Sequence, residues 1–246
     1  LSALHPRFLE SQRDLCLPKL KEKVLALAEL ASHYGLGLSL DAEECSRLEL
    51  TLDVFEWLCD QPSLASWSGL GFVLQAYQKR GLEVAIWLSE QAVRRPQGVM
   101  VRLVKGAYWD SEIKIAQQKG LDDYPVFTNK IHTDLSYEAC AATLFSCPSI
   151  YCQFATHNAL TIAQILQITS DSDQPFELQK LHGMGDLLYA IVSERYPQVT
   201  VRTYAPVGQH EDLLPYLVRR LLENGANSSF VNRFLDSELP VATLVE

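Results

Sequence analysis

Residues 102–110 read RLVKGAYWD. Val99, Met100, Val101, Leu103 and Val104 read as a strand buried on both faces. Yet Arg102 stands in the middle of that strand and Lys105 at its end, followed by a Gly-Ala-Tyr-Trp turn. Taking a cation out of water is costly unless an anion meets it. Either local carboxylates neutralise this pair, or a bound ligand brings the negative charge. Lys105, at a strand end, is also where a Schiff-base lysine would stand in an aldolase-like site. A second cationic pair, Arg219 and Arg220, lies late in the helical stretch PYLVRRLLENGAN. Adjacent helical residues point about 100° apart, so both reach one anion only at the edge between their directions. There their forked N–H groups would take both oxygens of a carboxylate. The simpler alternative is a basic last turn that complements the helix dipole and stops at Gly225.

Other chemistry-bearing residues carry less. His157, His182 and His210 each follow an apolar run, but no HxxxH-type spacing supports zinc, and no metal is expected. His5, His33 and His132 have no local signal. Trp57, Trp67 and Trp87 read as core, whereas Trp109, in the loop after a strand end, is the tryptophan placed to touch a ligand. The run KLKEK at 19–23 reads as a solvated helix face.

Elements must position these groups. Short apolar runs at 36–40, 70–75, 99–104, 149–155, 176–181 and 199–205 predict strands. Between them, amphipathic spacing predicts helices over about 12–33, 42–60, 79–94, 110–118, 133–146, 158–169, 185–195 and 210–224. Strands alternating with helices argue for parallel βα units. Nearly every apolar run ends in a polar group: Asp41, Gln75, Lys105, Thr156 with His157, His182, and Tyr204. Catalytic groups at the C-terminal ends of many strands favour a (β/α)8 barrel over an open sheet, which gathers them at one switch point. No GxGxxG is present, so a dinucleotide-binding Rossmann site is not supported. A barrel needs more strands than these, and the chain opens on LSALHPRF rather than Met. That opening reads as the end of a strand entering a loop, and a piece of a longer polypeptide is expected.

The 246 residues are 48% apolar, ample for a packed core, and carry a formal charge of -9. That charge argues against a nucleic-acid surface. No apolar run is long enough to cross a bilayer, and no signal peptide is read. Six cysteines without a CxxC pair predict buried, reduced thiols.

Several long stretches then resemble one family: SLDAEE (39–44), GFVLQAYQKR (71–80), VRLVKGAYWDSEIK (101–114), YPVFTNK (124–130), QFATHN (153–158), LHGMG (181–185), YAPVGQHEDLLPYLVRRLLENGAN (204–227) and SFVNR (229–233). They are similar to the proline dehydrogenase domain of bacterial proline utilization A, a flavoenzyme, along essentially the whole chain. The resemblance implies that residues 1–246 form a distorted (β/α)8 TIM-type barrel whose first βα units, with an active-site lysine, lie before Leu1. It implies an FAD-dependent oxidation of L-proline to Δ1-pyrroline-5-carboxylate, the first step of proline catabolism to glutamate. A hydride would pass from proline C5 to FAD N5, and electrons then to a membrane quinone.

Position by position, Arg102 resembles the arginine aimed at flavin N5. Gln75 resembles the glutamine bonding the ring, and Asp41 an aspartate near substrate and flavin. A pairing of Asp41 with Lys105 is a further expectation, placing Lys105 in the same site. Gly106 would allow close backbone approach, with Ala107, Tyr108 and Trp109 lining the pocket. Thr128, Lys130, Thr156, His157, Asn158, Gln179 and Glu223 match positions holding the ribityl, pyrophosphate and adenosine parts of FAD. Arg219 and Arg220 match the pair that binds the proline carboxylate. Tyr204 and Tyr216 match residues packed round the proline ring. Cys152 and Asn129 depart from the family, standing where a proline and a basic residue are expected. The resemblance also implies a cytoplasmic protein peripherally associated with the inner face of the bacterial membrane. It implies a downstream NAD-dependent pyrroline-5-carboxylate dehydrogenase domain in the parent chain, and DNA as a partner only where that parent carries an N-terminal repressor domain. Lyase chemistry at Lys105 and a non-catalytic structural module are the rival readings.

Overall fold

The computed structural model describes residues 1–209 together with 211, 213, 214, 216 and 218. Six strands form one sheet: β1 Leu38–Leu40, β2 Leu70–Gln75, β3 Val99–Val104, β4 Ile150–Ala155, β5 Phe176–Leu181 and β6 Thr200–Tyr204. Their spatial order is their chain order, and every neighbouring pair is parallel. The helices are α1 Arg13–His33, α2 Leu48–Cys59, α3 Gly81–Arg94, α4 Trp109–Lys119, α5 Lys130–Phe145, α6 Ala159–Ile168 and α7 Asp186–Arg195. Right-handed crossovers in a sheet that never reverses order put the helices that connect its strands on the same face. The fold is therefore α/β and singly wound, a curled half-barrel with one helix-covered face and one concave face.

The strand pattern follows from that arrangement. Phe72, Val101, Leu103, Cys152, Phe154 and Leu178 point outward and are buried in one cluster with the helices. Rings interlock there: Phe55 of α2 meets Phe72 at 5.1 Å, edge to face, and Phe176 meets both Phe145 and Phe154 at 5.9 Å. In α1 the buried residues Cys16, Leu20, Val24 and Ala28 recur every four positions, one stripe of the helix.

Most predicted elements agree with the observed ones within a few residues, and three expectations need correction. The strand 99–104 is not buried on both faces. Val99, Val101 and Leu103 are buried, while Met100, Arg102 and Val104 on the concave face are half-buried, because no helix among the described residues covers that side. Leu1–Leu4 is a turn, with Leu4 N–H donating to Leu1 O, rather than the end of a strand. The helix expected from 42 begins at Leu48, after a 3-10 turn Cys45–Arg47. Most of the helix expected at 210–224 lies outside the described residues. The cysteines are free, with all but Cys59 buried.

Candidate functional site

The concave face carries the polar residues. Strand register puts Ser39, Val73, Arg102, Gln153 and Glu177 on it, and Gln179, Arg202 and Tyr204 follow at steps of two residues. Arg102 of β3 reaches along it in two directions. Its Nη1 lies 3.9 Å from Asp41 Oδ1, just after β1, and its guanidinium carbon lies 5.5 Å from the centroid of the Tyr204 ring on β6. Three strand spacings separate β3 from β6, about 14 Å in a flat sheet. The contact is made because the sheet curls and brings the strand ends together across its hollow. Arg102 side chain is 25% exposed, and its Nε is buried with no hydrogen-bond partner among the described residues. A distance of 3.9 Å is beyond hydrogen bonding, so Asp41 balances part of the charge and leaves the donors unspent.

Lys105 behaves differently. Its Nζ donates to Asp134 Oδ1 of α5 at 2.5 Å and lies 5.9 Å from the Tyr137 ring. The expected Asp41–Lys105 pair is therefore not formed: the lysine turns toward α5, and Asp41 faces Arg102. Asp134 also accepts from Lys130 Nζ, at 2.6 Å through Oδ2, one helical turn away. Burial pulls the Lys105 ammonium below its ordinary pKa against the pull of Asp134. Burial pushes the Asp134 carboxyl up, but the two lysine hydrogen bonds outweigh it and hold it below the usual range.

The loops after the strands are built by their own residues. Gln75 is buried; its Nε2 donates to Glu43 O at 2.9 Å and its Oε1 accepts from Ala107 N–H at 3.3 Å, tying the loops after β1 and β3 to the end of β2. Gly106 has φ +146°, and a Cβ there would stand 2.4 Å from the Tyr77 ring. The close approach that needs glycine is thus to Tyr77 as well as a conformation other residues avoid. Trp109 is 42% exposed with its indole N–H donating to Phe127 O at 2.8 Å, and Tyr108 beside it is half-buried. Thr128 and Lys130 are exposed. After β4, Thr156 Oγ1 accepts from Asn158 N–H, and Asn158 Oδ1 caps α6 by accepting from Thr161 N–H at 2.9 Å. His157 Nε2 accepts from Leu181 N–H at 3.0 Å, which leaves that nitrogen unprotonated and the proton of a neutral ring on Nδ1. Asn129 likewise caps α5, accepting from Ile131 N–H at 3.0 Å. Gln179 is 2% exposed. Tyr216 is half-buried, whereas Arg219, Arg220 and Glu223 lie outside the described residues.

Sequence reading missed Asp134, Glu177 and Gln153. Asp134 was findable as the acid one turn after Lys130, and Glu177 as a lone charge inside the apolar run FELQKL. A cavity of about 580 Å³ between the Cys45–Arg47 turn and α4 is lined by none of the expected site residues. Among the described residues no helix is long and apolar enough to cross a membrane.

Comparison with known proteins gives the family. A model for proline dehydrogenase matches residues 5–233. The chain is 53% identical to the bifunctional protein PutA of Escherichia coli over its full length, covering 19% of that protein, and 50% identical to PutA of Rhizobium meliloti. Proline dehydrogenase 1 of Bacillus subtilis is 29% identical, over 91% of this chain and 65% of its own. A crystal structure of a variant of Bradyrhizobium japonicum proline utilization A superposes with a TM-score of 0.95 at 52% identity, covering all of this chain and 25% of that one. One of the Bdellovibrio bacteriovorus protein inactivated by N-propargylglycine gives 0.93 at 34%. The chain thus spans about a fifth of the length of its PutA relatives.

Proposed function

The chain belongs to the proline dehydrogenase family, a family of flavin-dependent enzymes, and on that footing we propose that it oxidises L-proline to Δ1-pyrroline-5-carboxylate with FAD held along the concave face at the C-terminal ends of its strands. The observation that carries this reading is Arg102. It is a partly buried guanidinium among the strand ends, too far from its carboxylate neighbour to hydrogen-bond it and with an unpartnered Nε. Arg102 Nε and the equally unpartnered, buried Gln179 Oε1 offer a donor and an acceptor on one wall, which fits the mixed donor-acceptor edge of a flavin. FAD supplies the acceptor for a hydride leaving proline C5, at its N5 atom.

In this reading Arg102 stabilises the negative charge that reduction adds, by a fixed electrostatic contribution that needs no reorganisation. Arg219 and Arg220 clamp the proline carboxylate, and Tyr204, Tyr216 and Tyr108 pack round the proline ring. Asp41 tempers the charge of Arg102. Gln75 keeps the loops in register, its carbonyl on Ala107 N–H. Lys130 gives the pyrophosphate a point charge, shared with Asp134. The proline amine reacts in its neutral form, and its proton passes to solvent. Positioning and electrostatics are then the protein's contribution.

Lys105 is the nucleophile of the rival lyase reading, and its placement supports that reading less well, since its Nζ is turned toward α5 and held by Asp134. For the longer protein we extend the proposal to eight-stranded closure of the barrel, transfer of electrons to a membrane quinone at the inner face of the membrane, and oxidation of the product to glutamate by an NAD-dependent domain.

The test is spectroscopic. Anaerobic L-proline is expected to bleach the visible absorption of the bound flavin, and flavin left oxidised by saturating proline would overturn the reading. Arg219→Met is expected to raise the proline dissociation constant at least tenfold with flavin content unchanged. Unaltered proline affinity would remove the carboxylate clamp.

A further inference from the structure

Glu177 of β5 is fully buried, and it is met from three strands. Arg202 of β6 donates to both its oxygens, Nε at 2.8 Å to each and Nη2 at 2.8 Å to Oε2. Tyr151 O–H donates to Oε2 at 3.2 Å. Oε1 also accepts from Gln153 Nε2 at 2.9 Å and from Gln179 Nε2 at 2.6 Å. Burial pushes the Glu177 carboxyl up, but hydrogen bonds from Arg202 and Gln179 outweigh it and keep it ionised.

An ionised carboxylate only accepts. A glutamine amide beside it must therefore turn its NH2 toward it and its carbonyl away. Both glutamines are more than nine-tenths buried, at 5% and 2% exposed. Both carbonyl oxygens, Gln153 Oε1 and Gln179 Oε1, are buried with no hydrogen-bond partner among the described residues. A folded protein seldom leaves such acceptors unmet, and each one asks for an explanation. Gln153 also stands directly opposite Arg102 in the β3–β4 register, and Arg102 Nε is likewise buried with no partner among the described residues.

We propose that Glu177, held by Arg202, is a positioning residue that fixes the amides of Gln153 and Gln179 so that the concave wall presents two carbonyl acceptors to N–H or O–H groups of the bound ligand. This rests on the reading that FAD occupies that face, whose ring and ribityl chain carry such donors. Glu177 does not touch the ligand; it dictates which end of each amide does. The Arg202 ion pair is what keeps the carboxylate charged at a fully buried position.

The test uses the flavin-free form of the holoprotein and measures the FAD dissociation constant from quenching of flavin fluorescence. Gln179→Leu and Gln153→Leu are each expected to raise it at least fivefold, and Glu177→Gln by a similar factor. In the Gln153→Leu/Gln179→Leu background, Glu177→Gln is expected to add less than twofold, because it acts through those two amides. Fully multiplicative losses would make Glu177 a merely structural residue and overturn the proposal. So would unchanged FAD affinity in both glutamine variants while the parent binds FAD, and that result leaves the proposed function standing. A parent protein that binds no FAD would instead sink the proposed function, and this inference with it. Should Glu177→Gln fail to fold by circular dichroism, the two glutamine variants decide.

Discussion

Arg95 and Arg102 differ in what takes their hydrogens. Arg95 is 4% exposed, and its Nε, Nη1 and Nη2 donate to the carbonyls of Gly98, Cys59, Leu64 and Trp67 at 2.9–3.2 Å. It is a staple between loops. Arg102 Nε is buried with no acceptor among the described residues, as suits a ligand-facing cation. Arg102→Met is expected to lower the flavin midpoint potential; a lost stabilisation of about 1.4 kcal/mol corresponds to about 30 mV for a two-electron couple. Potentiometric titration of the variant checks it, and an unshifted potential would take Arg102 away from the ring. Asp134 has a pH signature. Its carboxyl is held below the ordinary 3.8. A carboxylate whose folded pKa is depressed adds stability above its unfolded value and loses it as pH falls through the folded one. Below about pH 4, Tm is therefore expected to fall more steeply for the parent than for Asp134→Asn, and parallel Tm curves would contradict the ion-pair account.

At the scale of elements, several residues expected to hold FAD first hold the chain. Asn158 caps α6, Asn129 caps α5, His157 bonds the backbone at the end of β5, and Gln75 bonds the backbone of the loop after β1. These local bonds set the loops after β2 and β4 without any ligand. Asn158→Ala is expected to cost about 1 kcal/mol of stability in flavin-free protein, and Asn158→Asp close to nothing, since aspartate caps as well. Urea denaturation measures both. A drop in FAD affinity with no loss of stability would assign Asn158 to the ligand alone. A basic residue at position 129 would give up this cap.

For the whole molecule, the two faces of the sheet have opposite energetics. Leu103 points into the helix-covered core and is fully buried, while its neighbour Val104 lies half-buried on the concave face. Leu103→Ala is expected to destabilise by about 2–5 kcal/mol through lost burial and a cavity. Val104→Ala should cost less than about 1 kcal/mol, since its side chain takes less area out of water. Equal denaturation midpoints for the two variants would mean that the concave face is packed as tightly as the outer one. The curl of this sheet also brings Asp41, Arg102 and Tyr204 together from strands that a flat sheet would keep apart.

The sequence by itself determined the order of elements, since period-two apolar runs and three-to-four spacings are local properties of the chain. It also marked Arg102, as a charge inside such a run has few innocent explanations. Long motifs named the family, and with it an expected set of site residues that local chemistry alone could not have assembled. What only the tertiary structure decided was partnership. Asp41 was paired on paper with Lys105, but the turn of the strand end sends Lys105 to Asp134 on α5 and leaves Asp41 to Arg102. Gly106 was read as allowing close backbone approach, and the structure names one such neighbour, the Tyr77 ring. Glu177, missed in the sequence, proved to be the hub of four other side chains from three strands. Side-chain partners depend on strand register and sheet curvature, which are set by packing between residues far apart in the chain, and no local pattern encodes those.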